Sequence, residues 1–246
     1  MAHAGIGADV EGLHAVGAAV ASGRVDRLIV ERTKVGDQRV AVLANEVRGL
    51  GGIVELVDDV RPYAVTTAPQ GVVARCRPIM SIGLDDAMSA ADPAALVVLD
   101  HVEDPRNVGA IARSAVAAGI GALVVSLDRA APLGASAFKA AAGALEALPV
   151  AVIRSVADAV RLLEDRNVWT IGLDGSSDRS LLGLDLLQEP VALVIGAEGR
   201  GLSRLVGDRV SLKVRLPMLG GVESLNASVA ASLAMFELAR TRGWVS

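Results

Sequence analysis

The chain has 246 residues and a net charge of −4, with 52% hydrophobic but only 2% aromatic residues, so its core has to be built from Ala, Val, Leu and Ile. No apolar run reaches the roughly 18 residues of a membrane span, the start MAHAGIGADVEGLH has no signal-peptide pattern, and a single cysteine, Cys76, excludes an internal disulfide; a cytoplasmic protein is expected. A basic nucleic-acid domain is excluded as well, because residues 1 to 84 carry 9 basic and 9 acidic side chains, leaving 15 and 19 for the rest.

In chain order, residues 10 to 22 have helical spacing, followed by a strand at DRLIVE (26–31) and a helix at 37–49. GGIVELV (51–57) and GVVARC (71–76) read as further strands. RPIMSIGLDDAMSAADP (77–93) breaks the pattern and suits a linker. Beyond it, strands are expected at 95–102, 122–127, 149–153, 168–174, 191–198 and 210–217, with Ala-rich helical segments among them. Near-continuous apolar strands separated by helices imply a parallel sheet covered on both faces. The expectation is an α/β chain with a small α/β domain over 1–80, a linker over 81–92 and a larger α/β domain over 93–246.

Ligands of open α/β sheets sit beyond the carboxyl ends of strands. Three segments occupy such places. In DHVEDPRNVGAIARSAVAAG, Asp104 and Pro105 make a helix start. Arg106 and Arg113 then lie seven residues apart over a floor of Gly109, Ala110 and Ala117. That pair could grip a phosphate, or simply be a solvated, salt-bridged face. Asn107 falls in the first turn, where an amide often only caps. His101, a lone histidine at a strand end, reads as structural and not as a metal ligand.

The second segment, GAEGRGLSR, has glycines at 196, 199 and 201. Their G-x-x-G-x-G order is not that of a dinucleotide fingerprint, which argues against a nicotinamide enzyme. Glu198 there is either a ligand-facing acid or a solvated turn residue. The third segment is LPMLGGVESLNASVAASLAMFELAR. Gly220 and Gly221 permit a tight loop, Ser224 could cap the following helix, and Val229, Leu233 and Phe236 form its apolar stripe. Its alanines would let another helix come close.

Together DPRNVGAIARSAVAAG, LVIGAEGRGLS and LPMLGGVESLNASVAA closely resemble the three motifs of the SpoU/TrmH family of S-adenosylmethionine-dependent RNA ribose 2′-O-methyltransferases, over roughly residues 95 to 242. VEGLHAVGAAVASG…VDRLIVE and APQGVVARC are similar to the small substrate-binding domain that precedes the catalytic domain in many members, although Pro69 stands where many have His. The resemblance implies a catalytic domain whose C-terminal chain forms a trefoil knot, against the strong preference for unknotted chains, and a site completed in a homodimer. It implies functional roles for Arg113, Asn107, Glu198, Ser224 and Asn226, with Arg113 as the proposed catalytic residue. Cofactor contacts are implied for Gly196, Leu216, Leu225 and Met218, joined by the loop of Leu173, Asp174 and Gly175. The cofactor the resemblance implies is S-adenosylmethionine, with no metal required.

The expected substrate is a guanosine ribose of 23S rRNA, as in two-domain relatives. A tRNA, or an rRNA nucleotide whose methylation confers antibiotic resistance, would use the same chemistry. A non-catalytic RNA-binding protein with the same fold is the alternative from another class. With no basic domain, RNA binding would rest on local arginines or on two chains pooling their surfaces.

Overall fold

A computed structural model describes residues 5–127, 132–220 and 224–245; Gly221 and Glu223 lie outside them. The elements in chain order begin with β1 (Asp9–Glu11), α1 (Leu13–Ala21), β2 (Val25–Glu31), α2 (Gln38–Gly49), β3 (Ile53–Val57) and β4 (Val72–Cys76). Next come α3 (Leu84–Met88), β5 (Ala95–Leu99), α4 (Pro105–Ala117), β6 (Ala122–Ser126), α5 (Ala135–Ala141), α6 (Ala144–Ala147) and β7 (Val150–Ile153). The chain continues with α7 (Val156–Asp165), β8 (Trp169–Leu173), β9 (Val191–Ile195), α8 (Arg204–Arg209), β10 (Leu212–Val214) and α9 (Ala227–Thr241). Two compact units result: residues 1–80 with 132–147, and residues 81–131 with 148–246.

The first unit holds a mixed sheet in the order β1-β4-β2-β3, with only β2 and β3 parallel. The helix expected from residue 10 starts at Leu13, because Asp9–Glu11 pairs antiparallel with β4 before Gly12 turns the chain at φ 84°. Glu11 is fully buried and accepts from the backbone N–H of Val65 and Thr66 and from the Thr66 hydroxyl, which fixes the 61–70 loop. Residues 132–147 join this unit through Phe138, which is fully buried, and through Glu146, whose carboxylate takes Arg24 Nε at 2.8 Å. No local pattern marks that assignment, since its partners lie over a hundred residues away.

The second unit contains a six-stranded, all-parallel sheet in the order β10-β8-β9-β5-β6-β7. Every residue of β5 (ALVVL) and β9 (VALVI) is buried, as strands covered on both faces require. From β5 the chain proceeds outward to β6, and from β9 it proceeds towards β10 on the opposite side. The crevice for a ligand therefore opens at the carboxyl ends of β5 and β9. The stretch expected as a linker is part of this unit. Ile82 bridges Ala151 and donates its N–H to Val150, and Ala87 of α3 is buried in the core.

Helix α9 packs on α4 with Ala227, Ala231 and Ala234 buried, and Ser232 Oγ meets Ser114 Oγ at 2.7 Å. The stripe read as its packing face is not the buried one. Val229, Leu233 and Phe236 are exposed at 46%, 49% and 42%, because close approach to α4 selects the alanines. Past α9, Arg242 donates to the carbonyls of Leu187, Pro93, Ala94 and Glu189, tying the C-terminal segment to the starts of β5 and β9.

Candidate active site

Three loops build the site: the one after β5, the one after β9, and the return from β10 to α9. At the first, Asp104 caps α4 by accepting from Arg106 N at 2.8 Å, with Pro105 at the first helical position. That start places Asn107, buried, one turn in. It is not a cap. Its Nδ2 faces Glu198 Oε2 at 3.4 Å, and its Oδ1 accepts from Asn226 Nδ2 at 3.1 Å.

After β9 the chain doubles back, with Ala197 and Gly201 exchanging backbone hydrogen bonds of 3.0 and 2.9 Å. Gly196 is required by close approach: a Cβ there would lie 2.1 Å from the Gly201 carbonyl carbon. Gly199 and Gly201 adopt φ of 73° and 66°, where a side chain would be strained. The hairpin carries Glu198 outward to Asn107 and Asn226.

Asn226 is the N-cap of α9, a role read for Ser224 from sequence. Its Oδ1 accepts from Ser228 N at 2.9 Å and from Ser228 Oγ at 2.6 Å. Capping fixes which way the amide points, so Nδ2 is left for Asn107 and for Glu198 at 3.4 Å. Ser224 stands two residues ahead of the cap, on a cavity wall.

A cavity of about 410 Å³ lies beside this cluster, within the roughly 300–1,000 Å³ typical of small-molecule sites. Leu173, Asp174, Gly175, Gly196, Leu216, Met218 and Leu225, all named from sequence as cofactor contacts, line it, together with Glu198 and Ser224. Bonds from the Ser176 side chain and N–H hold the Asp174 carboxyl below the usual range, so an anion stays at the rim. Apolar lining from Ile195, Val214 and Leu216 together with this anion suits a ligand that has an apolar part and a positive charge. The lining positions Ile195 and Val214 were not picked out from sequence, and Ala227 and Ala230 were read only as helix-packing alanines, because a small or aliphatic wall looks like any core residue.

Residues 94–236 match the SpoU rRNA Methylase family, and residues 10–81 match the family described as RNA 2′-O ribose methyltransferase substrate binding. The chain belongs to the SpoU rRNA methylase family. Among SpoU relatives, a 23S rRNA (guanosine-2′-O-)-methyltransferase RlmB of Escherichia coli K12 is 35% identical over 95% of this chain and 98% of its own length. The RlmB of Photobacterium profundum is 36% identical over 94% and 96%. The SpoU methyltransferase AviRb of Streptomyces viridochromogenes, solved with AdoMet, superposes with a TM-score of 0.80 at 27% identity, covering 96% of this chain and 91% of that one. An AdoMet-bound rRNA methyltransferase of Sinorhizobium meliloti gives 0.79 at 25%, covering 97% and 88%.

Of the SpoU positions named from sequence, only Arg113 stands apart. It is exposed on α4, six residues past Asn107, and lines neither the cavity above nor its neighbour. The pairing of Arg106 with Arg113 as one phosphate grip is not what the structure presents. Arg106 is spent on Asp104, Nη2 to Oδ2 at 2.9 Å, whereas Arg113 makes no ion pair among the described residues. Arg200 and Arg215, both exposed on the cavity wall, are likewise unpaired among those residues. A chain of net charge −4 thus still presents free cations around its site.

Proposed function

We propose that this chain is an S-adenosylmethionine-dependent RNA methyltransferase that modifies the ribose 2′-hydroxyl of a guanosine in 23S rRNA. The observation that carries the reading is the convergence of three sequence-distant segments on one crevice. They place a ligand-sized cavity against the Asn107–Glu198–Asn226 cluster at the switch point of a parallel sheet. RlmB relatives that are similar along nearly the whole chain support the substrate.

When bound, S-adenosylmethionine supplies an electrophilic methyl group. The protein's share is then alignment of a weak nucleophile and help with one proton. Gly196, Leu216 and Leu225, largely through backbone groups, and Met218 would hold the cofactor, with Leu173, Asp174 and Gly175 beside them on the cavity wall. Glu198, Ser224 and Asn226 hydrogen-bond the ribose and fix its hydroxyl. Arg113, a guanidinium that stays charged at any ordinary pH, grips the adjoining phosphate and orients the hydroxyl for in-line attack. The substrate-binding unit selects the RNA.

We also propose a homodimer, supported by the exposed stripe of Val229, Leu233 and Phe236 on α9 beside the exposed Val116 of α4. Such pairing would bring Arg113 of one protomer towards its partner and give one buried seam to both helices. The family's trefoil knot and a cytoplasmic location belong to the same reading.

The test is transfer of labelled methyl from S-adenosylmethionine to unmodified 23S rRNA, with the product mapped to a guanosine ribose. Arg113→Ala should lower kcat by at least about 100-fold while leaving cofactor affinity intact. A wild-type protein that binds rRNA but transfers no methyl would overturn the enzymatic reading in favour of a binding protein.

A further inference from the structure

Across the Gly196–Gly201 hairpin from the cofactor cavity lies a second cavity of about 450 Å³. It is lined by His101, Glu103, Asn107, Glu198 and Arg200 among others, and shares Ala197, Glu198, Arg200 and Gly201 with the first. An occupant would lie just across one hairpin from the methyl donor. Several of its polar groups are already committed: Asp104 to Arg106, and Asn107 to Glu198 and Asn226. His101 is held differently, as if for use.

Asp100 is fully buried at the end of β5 and its carboxylate has two partners, the Ser203 N–H at 2.6 Å and His101 Nδ1 at 2.7 Å. A carboxylate only accepts, so Nδ1 carries a hydrogen, and in the neutral imidazole Nε2 is left as an acceptor. The imidazole is about one-third exposed, and Nε2 has no partner among the described residues. The backbone of His101 sits at φ 60°, in the left-handed region where glycine or asparagine would be at less cost. An imidazole oriented from behind and part-exposed on a cavity wall is available to an occupant of that cavity.

We infer that this second cavity receives the target nucleotide, and that His101 contacts it directly by accepting a hydrogen bond at Nε2, with Asp100 as the positioning residue behind it. This rests on the RNA-methyltransferase reading. The chemistry of the wall fits a nucleotide: an unpaired guanidinium at Arg200 for phosphate, and acceptors at His101 and Glu103 for the donors of a base edge or a ribose hydroxyl. Sequence alone had assigned His101 a structural place.

Two substitutions separate contact from structure. His101→Gly and His101→Ala each remove the imidazole and leave one oxygen of the buried Asp100 without its partner, but glycine suits the positive φ and alanine does not, so the Tm of His101→Gly should lie above that of His101→Ala. Both should raise KM for unmodified 23S rRNA by at least about fivefold, the worth of one hydrogen bond, with the Kd for S-adenosylmethionine within about twofold of wild type. Unchanged KM in His101→Gly overturns the inference, as does a KM that rises only in His101→Ala together with a lower Tm. Failure of the parent reading looks different, since the wild type itself would then transfer no methyl. Equilibrium binding of the rRNA without methyl donor still reads the contact in that case, through weaker binding by both variants.

Discussion

Among the described residues the two units each bury one carboxylate completely, and Glu11 and Asp100 are held in different ways. Glu11 closes on its own unit, its partners among the described residues being the N–H groups of Val65 and Thr66 and the Thr66 hydroxyl. Asp100 spends one oxygen on the Ser203 backbone and the other on an imidazole that faces a cavity. Individual arginines differ in the same way, although Arg106, Arg166, Arg209 and Arg240 of the second unit are ion-paired. Arg24 in the first unit is locked to Glu146, while Arg113, Arg200 and Arg215 in the second make no ion pair among the described residues. Polar groups that only hold a fold together are satisfied from within; those kept for a ligand are oriented on one side and open on the other.

The sharpest way to break this contrast is Gly196→Ala. A methyl group 2.1 Å from the Gly201 carbonyl carbon forces the hairpin off both cavities. Cofactor affinity should fall by at least about 100-fold, some 2.7 kcal/mol, with hydrogen exchange in the first unit unchanged. Calorimetric titration giving wild-type affinity would show that the hairpin's close fold is incidental.

Glu11→Ala is the converse experiment. It strands two buried N–H groups and a hydroxyl, costing the first unit about 3 kcal/mol. Amide exchange around β1, β4 and residues 65–66 should speed up while S-adenosylmethionine binding holds. Loss of cofactor binding in that variant would show that the polar groups of the two units are not independent.

The smallest effect concerns Cys76. Burial pushes its thiol up to about 12, and the side chain is only 7% exposed. At pH 8 the folded protein should therefore resist thiol-specific labelling, which needs the thiolate. Labelling should follow unfolding of the first unit, and so proceed faster in Glu11→Ala. Rapid labelling of the native wild type would mean that β4 opens readily.

Much of the second unit was legible in advance because parallel strands write long apolar runs, and each run ended where a loop of glycines and polar residues began. The seven positions expected at the cofactor all line one cavity. What escaped was the polarity that depends on distant partners. Asn226 took the cap read for Ser224, because the chain reaches α9 two residues later than the glycines suggested. Arg106 follows the salt-bridged reading and pairs with Asp104, two residues away. The setting of His101 escaped too, because its orientation comes from Asp100, whose other oxygen is held by Ser203, a hundred residues on.

Sequence by itself determined the alternation of strands and helices, the family and the chemical types gathered at the site, since each is carried by local pattern and motif. Only the tertiary structure decided that residues 132–147 pack with the first unit, and that the alanines of α9 face inward while Val229, Leu233 and Phe236 face out. It also decided that two cavities flank one hairpin. These are outcomes of which surfaces meet, and steric fit between sequence-distant segments leaves no periodic trace along the chain.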